Sequence, residues 1–327
     1  MINSKINWGI LATGKIAHKL ADDFRQVTNG QIVAVASRTQ EQANAFAKQY
    51  HLAQAYDSYA KLADDPNIDI IYVATPHNSH YKNTLMCLQH KKPVLCEKPF
   101  TVNAQQLRHL ITAAKEHHVF LMEALWTYFM PAVLKALAWV NAGKIGKLLG
   151  IQATFGFKAK YDPRSRLFNL NYAGGTLLDV GVYGVAFSEL IMSDVITAVT
   201  AQAAIGKTGV DEYIAITLRY RNNAITQITS SLVADLHNDG IIYGEKGYIR
   251  LPHFWRASRA ELITSSGIEI FEEPRTTHGY NYMITAVNQM LLNKEKESAS
   301  LPLLRSLKNM ETMDKIRNVI GLCYPGE

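Results

Sequence analysis

Cysteine is scarce in this chain: 3 among 327 residues, at Cys87, Cys96 and Cys323. An odd, scattered set supplies neither a disulfide framework nor paired zinc ligands, so a reducing compartment, the cytoplasm, is expected. Charge is sparse as well. Charged residues make up 19%, and the net charge of +6 comes from Lys and Arg spread along the sequence. Without a dense basic block no nucleic-acid partner is expected, and a small anionic ligand explains the excess better. There is no run of about 18 apolar residues, so no membrane span is expected. The first residues lead straight into a strand-like segment, so no signal peptide is expected either. Repeats and low-complexity stretches are missing. With 48% hydrophobic residues the chain is too apolar for disorder, and its length suits about two domains.

What is present is an alternation. Apolar runs at 6–11, 32–37, 69–74, 94–96 and 119–122 read as buried strands. Helical patterns at 15–27, 40–50, 81–89 and 104–117 lie between them. Strands alternating with helices imply a parallel sheet with right-handed crossovers. A long helix is expected over 126–142. After Gly146 the pattern changes to strands at 147–157, 196–205, 213–220, 224–233 and 241–243, mostly without helices between them. Arg221-Asn222-Asn223 and Gly244-Glu245-Lys246-Gly247 are turn signals, so this half reads as an antiparallel sheet. Helices over 175–192, 282–293 and 302–320 complete it.

The first strand runs into Leu11-Ala12-Thr13-Gly14-Lys15-Ile16-Ala17, where a dinucleotide fingerprint belongs. A pyrophosphate would rest on free N–H groups at the start of the following helix. Gly14 would let backbone and phosphate approach, and Ala17 would allow close helix–strand packing. Ala12 stands where the first glycine is expected. The second strand ends in Ser37-Arg38, where an NAD enzyme usually places Asp or Glu on the ribose hydroxyl. Without that carboxylate a 2′-phosphate meets no repulsion, and a guanidinium can grip it. NADP is therefore preferred to NAD.

Cys96-Glu97-Lys98-Pro99 follows the 94–96 strand, at the end of the sheet where ligands bind. Gly174-Gly175 precedes Asp179 and Tyr183, which share one face if 175–192 is an α-helix. An ammonium beside a phenol stabilises the phenolate, the group that carbonyl/alcohol hydride transfer needs at the substrate oxygen. Read singly, Asp179 is a cap or ion-pair partner and Tyr183 a core residue. In Thr75-Pro76-His77-Asn78-Ser79-His80, the two histidines lack a nearby third ligand, so no metal is expected. Lys158, Lys160, Arg164 and Arg166 form a basic loop that reads first as solvated, and Glu116-His117-His118 reads as a solvated helix end.

These motifs, with Phe120-Leu121-Met122-Glu123-Ala124-Leu125-Trp126-Thr127, resemble the glucose-fructose oxidoreductase / inositol dehydrogenase / MocA family over nearly the full chain. Within it the branch of dimeric dihydrodiol dehydrogenases and NADP-dependent D-xylose dehydrogenases is the most similar. The resemblance implies a Rossmann-like doubly wound parallel sheet in a dinucleotide-binding domain, 1–123. It implies a C-terminal α+β domain, 124–327, with an open, mostly antiparallel sheet for substrate binding and dimerisation. Lys98 would sit near nicotinamide and substrate, Tyr183 would be the general acid/base, and Asp179 would position substrate. Ala12, Thr13, Gly14, Lys15, Ile16, Ser37, Arg38, Thr75, Pro76, His77, His80, Glu97 and Lys98 would line the cofactor, with His80 also at the active cleft. Trp126 and Phe155, and more distantly Trp255, would wall the substrate pocket. The substrate would be a sugar such as an aldose, or a trans-dihydrodiol. The family also admits an NAD-using glycosidase and a non-catalytic sugar-binding regulator. Retention of Lys98, Asp179 and Tyr183 argues against the regulator.

Overall fold

The structure is a computed structural model and describes residues 5–327. The chain opens with β1 (Ile6–Leu11), α1 (Lys15–Asp23), β2 (Gly30–Ala36), α2 (Gln40–Tyr50), β3 (Gln54–Tyr56) and α3 (Tyr59–Asp64). It continues with β4 (Ile70–Val73), α4 (His80–Gln89), β5 (Val94–Cys96), α5 (Ala104–Glu116) and β6 (Leu121–Glu123). These strands form one parallel sheet in the order β3-β2-β1-β4-β5-β6. The order reverses between β1 and β4, which is where a doubly wound sheet opens a crevice at its carboxyl edge. Helices cover both faces, so β4 reads Ile-Ile-Tyr-Val and is buried throughout.

The next segment was expected to be one helix over 126–142. It is instead a 3₁₀ turn, Trp126–Phe129, followed by α6 (Pro131–Asn141). Pro131 has no N–H to donate and occupies the first turn of α6, so one helix cannot run through it. Then come β7 (Leu148–Gly156), a π-helical turn (Leu177–Gly181) leading into α7 (Val182–Met192), β8 (Ile196–Ile205), β9 (Asp211–Tyr220) and β10 (Ile225–Ser231). β11 (Asp239–Gly244), β12 (Gly247–Pro252), β13 (Arg259–Thr264), β14 (Gly267–Glu272), α8 (Tyr280–Leu292) and α9 (Leu303–Ile320) complete it.

The second sheet is open and eight-stranded, β14-β13-β12-β11-β7-β10-β9-β8. Only β7 and β10 pair in parallel. Alternate residues of β9, such as Ile214, Ile216 and Leu218, are buried on one face. An open sheet of this kind, left without a partner, would expose a broad apolar face on its opposite side. Its central outward positions are Gln152, Thr217, Gln227 and Thr229, with apolar side chains such as Leu149, Tyr213 and Ile225 also exposed. The segment Leu170–Met192 is long and apolar enough to cross a membrane by length and composition, but it is wholly buried as the core of this unit.

Two compact units result, and they do not divide the chain once. The first holds Met1–Ala124 and Thr276–Leu307, the second Leu125–Arg275 and Lys308–Glu327. The return of 276–307 to the first unit differs from a single boundary at 123/124, and two buried polar contacts explain it. The Asp23 carboxylate accepts from the backbone N–H groups of His278, Gly279 and Tyr280 at 2.7–2.9 Å, which caps α8. Trp8 Nε1 donates to Asn288 Oδ1 at 2.7 Å.

Candidate active site

In the first unit the turn from β1 to α1 is shaped for an anion. Gly14 is the N-cap of α1, exposed, and a Cβ there would meet nothing within 4 Å. No acidic side chain stands in the first turn of α1. The free N–H groups and positive dipole end are therefore open to a phosphate, which fits a dinucleotide. Thr13 and Ile16 are partly buried, Lys15 is exposed, and Ala17 is buried. Ala12 lies at φ +87, a conformation that favours glycine.

At the end of β2 the Ser37 hydroxyl is buried and already engaged. It donates to Gln42 Oε1 at 2.9 Å and lies 3.2 Å from Thr13 Oγ1. Arg38, next in sequence, is exposed. Thr39 caps α2 by accepting from the Gln42 N–H.

The loop after β4 and the turn after β5 are tied together by His80. Its Nδ1 lies 2.7 Å from Pro99 O and its Nε2 2.8 Å from Thr75 O. The ring is completely buried and packs edge-on to buried His77. This side chain joins the two loops. With both nitrogens on carbonyls, it is not placed to ligate a metal with His77. Pro76 is exposed and Thr75 buried.

Glu97 is buried, and the Tyr72 hydroxyl donates to its Oε1. Lys98 N–H donates to Glu97 Oε2 at 3.2 Å, and the Lys98–Pro99 peptide is cis. Glu123, at the end of β6, accepts from Phe100 N–H at 3.1 Å, while its other oxygen is buried with no hydrogen-bond partner. Burial pushes its carboxyl up to about 7. Sequence reasoning quoted Glu123 only as part of a motif. A carboxylate inside an otherwise apolar strand was the signal that it holds a neighbouring turn. Burial also drives Cys96 well above, and Cys87 up to about 12, leaving both as inert thiols.

In the second unit four aromatic side chains come together from distant positions, and Asp179 stands on the turn that leads into Tyr183. Phe155 on β7 stacks on Trp255 at 3.7 Å and 10° between planes. Phe155 also packs on Tyr183 at 5.7 Å. Trp126 Nε1 donates to Tyr183 Oη at 3.0 Å. The Trp126 turn is fixed by Thr127 Oγ1 donating to Trp255 O at 2.7 Å and by Tyr128 Oη donating to Ala186 O at 2.8 Å. Asp179 is buried and accepts from Arg166 Nη1 at 2.8 Å. Of the four basic loop residues, Arg166 is thus the one on Asp179. Arg164 pairs with Asp162, while Lys158 and Lys160 are exposed.

Asp179 and Tyr183 were expected on one α-helical face. The turn carrying Asp179 is π-helical instead, so α-helical spacing does not describe it. Asp211, a residue the sequence did not point to, starts this turn. Its Oδ2 accepts from Leu177 N–H at 2.7 Å. A Cβ on Gly175, at φ +113, would stand 2.1 Å from its Oδ1, so only glycine fits. Burial pushes Asp211 up to about 7. Tyr324 Oη donates to Gly174 O at 2.8 Å on the other side.

Among the described residues no group of three or more His, Cys, Asp or Glu is arranged to hold a metal ion. Residues 6–125 match a family model described as oxidoreductase family, NAD-binding Rossmann fold, and residues 133–250 match the GFO/IDH/MocA C-terminal domain. Trans-1,2-dihydrobenzene-1,2-diol dehydrogenase of Xenopus laevis is 36% identical, with 97% of this chain and 99% of that protein covered. The Mus musculus protein of the same name is 34% identical, with 98% of each covered. Among solved structures, an aldose-aldose oxidoreductase from Caulobacter crescentus complexed with glycerol superposes with TM-score 0.88 at 21% identity, covering 96% and 97% of the two chains. A 3-ketoreductase from Actinomadura kijaniata in complex with NADP and TDP-benzene superposes with TM-score 0.87 at 22%, covering 97% and 98%. Two matched domains in order, and relatives aligned end to end, lead to one conclusion: the chain belongs to the GFO/IDH/MocA family of NAD(P)-binding oxidoreductases.

Proposed function

We propose that this protein is an NADP-preferring dehydrogenase or reductase acting on the CH–OH group of a sugar or a trans-dihydrodiol. The observation that carries the reading is the group in the second unit: a buried phenol among stacked aromatic rings, with a buried carboxylate on the turn before it. Such a cluster suits a substrate with an apolar ring face and hydroxyl groups around it. End-to-end likeness to dihydrodiol dehydrogenases supports the same class.

A bound nicotinamide supplies the acceptor or donor of the hydride. Tyr183 acts at the substrate oxygen, taking its proton as the carbonyl forms and returning it in the reverse reaction. Lys98, in the role the family resemblance implies, supplies the positive charge that favours the phenolate. Asp179, oriented by Arg166, accepts from a substrate hydroxyl, and Trp126, Phe155 and Trp255 exclude water. Gly14 and its neighbours receive the pyrophosphate, and Arg38 receives the 2′-phosphate. Glu97 and Glu123 hold the Lys98 turn in place. A homodimer through the outward face of the second sheet completes the proposal. Its Gln and Thr centre with apolar neighbours suits a partly polar interface.

The test is nicotinamide absorbance with NADP⁺ and NAD⁺ against aldoses, inositols and trans-dihydrodiols, with mass from light scattering alongside. Reduction of NADP⁺ by an aldose or a dihydrodiol is expected. NADP binding with no turnover across the panel would favour a non-catalytic protein, and tightly retained NAD would favour the glycosidase.

A further inference from the structure

Trp126 holds a position that an aromatic wall alone does not require. Its Nε1 lies 3.0 Å from Tyr183 Oη, and both residues are buried. An indole N–H donates and never accepts, so the phenol oxygen is the acceptor in this pair. Its own hydrogen is left for some acceptor other than the indole. A donor aimed at that oxygen also favours the phenolate over the phenol. The donor is held firmly, because the residues on its C-terminal side anchor the turn to Trp255 O and Ala186 O.

Charged and titratable groups also lie near Tyr183 in this unit. Asp179 stands on the preceding turn and disfavours a phenolate, and Arg166 on Asp179 offsets that charge. His253 and Arg256 meet the far ring of the aromatic group, with His253 5.4 Å from the Trp255 centroid and Arg256 5.6 Å from it. The indole does not titrate, so its contribution is the same at every pH, unlike that of these neighbours.

We propose that Trp126 is a positioning residue for Tyr183: its N–H turns the phenol hydrogen toward the substrate oxygen and sets the pH at which that proton leaves. This rests on Tyr183 being the acid/base group. In the oxidation direction the phenolate takes the hydroxyl proton, the C–H electron pair leaves as hydride for NADP⁺, and a C=O bond forms. The reverse returns both.

Trp126→Phe keeps an aromatic ring and removes the N–H. Phenolate difference absorbance, taken against a Tyr183→Phe background, reads the Tyr183 ionisation without needing a substrate. It should move up by about one to two pH units, the equivalent of one hydrogen bond to a charged group. The acidic limb of the kcat profile should move with it, while NADP affinity stays unchanged. Trp126→His, which keeps a ring N–H, should return part of the shift. A titration and a limb both left at their wild-type positions in Trp126→Phe would overturn the proposal. If that variant does not fold, the Trp126 indole N–H resonance of the wild type decides. It must follow Tyr183 ionisation and lose that response in Tyr183→Phe, and a resonance indifferent to pH overturns the role. Full turnover in Tyr183→Phe removes the acid/base reading itself. Lost turnover there, with Trp126→Phe titrating as wild type, removes only the role of Trp126.

Discussion

The turn after β5 and the turn before α7 are both buried polar sites, yet they are built differently. Around Lys98 the ties mostly reach backbone on neighbouring strand ends: His80 to Thr75 and Pro99, Glu123 to Phe100, Glu97 to Lys98. Around Tyr183 the ties run between side chains far apart in sequence, Trp126 to Tyr183, Phe155 to Trp255 and Arg166 to Asp179. A site held by strand ends inherits its geometry from the sheet. A site held by side chains depends on each of them, so single substitutions should act on chemistry in the second unit and, apart from the Lys98 ammonium itself, on binding or stability in the first.

The largest expected effect tests the chemical half. Tyr183→Phe should lower turnover by at least about 10²-fold, the range of lost acid/base catalysis, with NADP affinity nearly unchanged. Lys98→Ala should do the same, because it removes charge and leaves its turn tied by backbone. Steady-state kinetics beside a fluorescence titration of NADP would separate the two effects. Unchanged turnover in both variants would break the mechanism.

Next is the binding half. Arg38→Ala should weaken NADP about tenfold or more while leaving NAD where it was, since only NADP offers a phosphate to an exposed guanidinium. Equal losses for the two cofactors would show that Arg38 meets something they share.

A third effect is common to both units and sharpens the contrast by its symmetry. Glu123 and Asp211 are each pushed up to about 7 by burial, from ordinary values of 4.5 and 3.8. Between those ordinary values and about 7 the folded protein keeps protons that the unfolded chain has lost. Stability should therefore fall as pH rises through that window, and flatten above it. Glu123→Gln and Asp211→Asn each keep an acceptor for the backbone N–H but carry no charge. The gap between denaturant midpoints at pH 5.5 and 8.5, chosen on either side of about 7, should narrow in each variant, because the other group still titrates, and narrow further in the double variant. A wild type more stable at the higher pH would contradict both assignments.

The same contrast decides what can be read from sequence. Strand periodicity, the turn at Gly14 and the Glu-Lys-Pro turn are local, and sequence alone suffices to place β1, β2, β4, β5 and the helices beside them. The short pieces β3 and α3 escape, because three and six residues carry too little periodicity. The edge pair β13 and β14 escapes for a different reason. Ile268 and Ile270 are exposed, so the alternation of β14 marks no buried face. The return of 276–307 to the first unit hangs on Asp23, more than 250 residues away from the N–H groups it caps. Arg166 looked like one solvated cation among four, and only the fold selects it. The family motif flagged Asp179 and Tyr183, but α-helical spacing gave the wrong picture of the turn between them. Asp211 and Tyr324, which brace that turn, carry no local signal.

The smallest expected effect falls on Ala12, and its sign follows from two opposing magnitudes. At φ +87 a β-carbon crowds the backbone, a strain of roughly 1–2 kcal/mol that glycine lacks. Glycine also loosens the unfolded chain, which costs about 0.4–1 kcal/mol. Ala12→Gly should therefore stabilise the protein by between nothing and about 1.6 kcal/mol, read as a small rise in the denaturant midpoint at unchanged slope. The Ala12 N–H donates to Ala36 O at 2.9 Å, and that bond is indifferent to the side chain, so β1 and β2 keep their pairing in either case. NADP affinity should hold or rise slightly, because the turn then reaches its observed conformation without strain. A loss of about 1 kcal/mol or more would mean that the methyl group packs usefully, and that this turn, in the unit held by backbone, depends on a side chain after all.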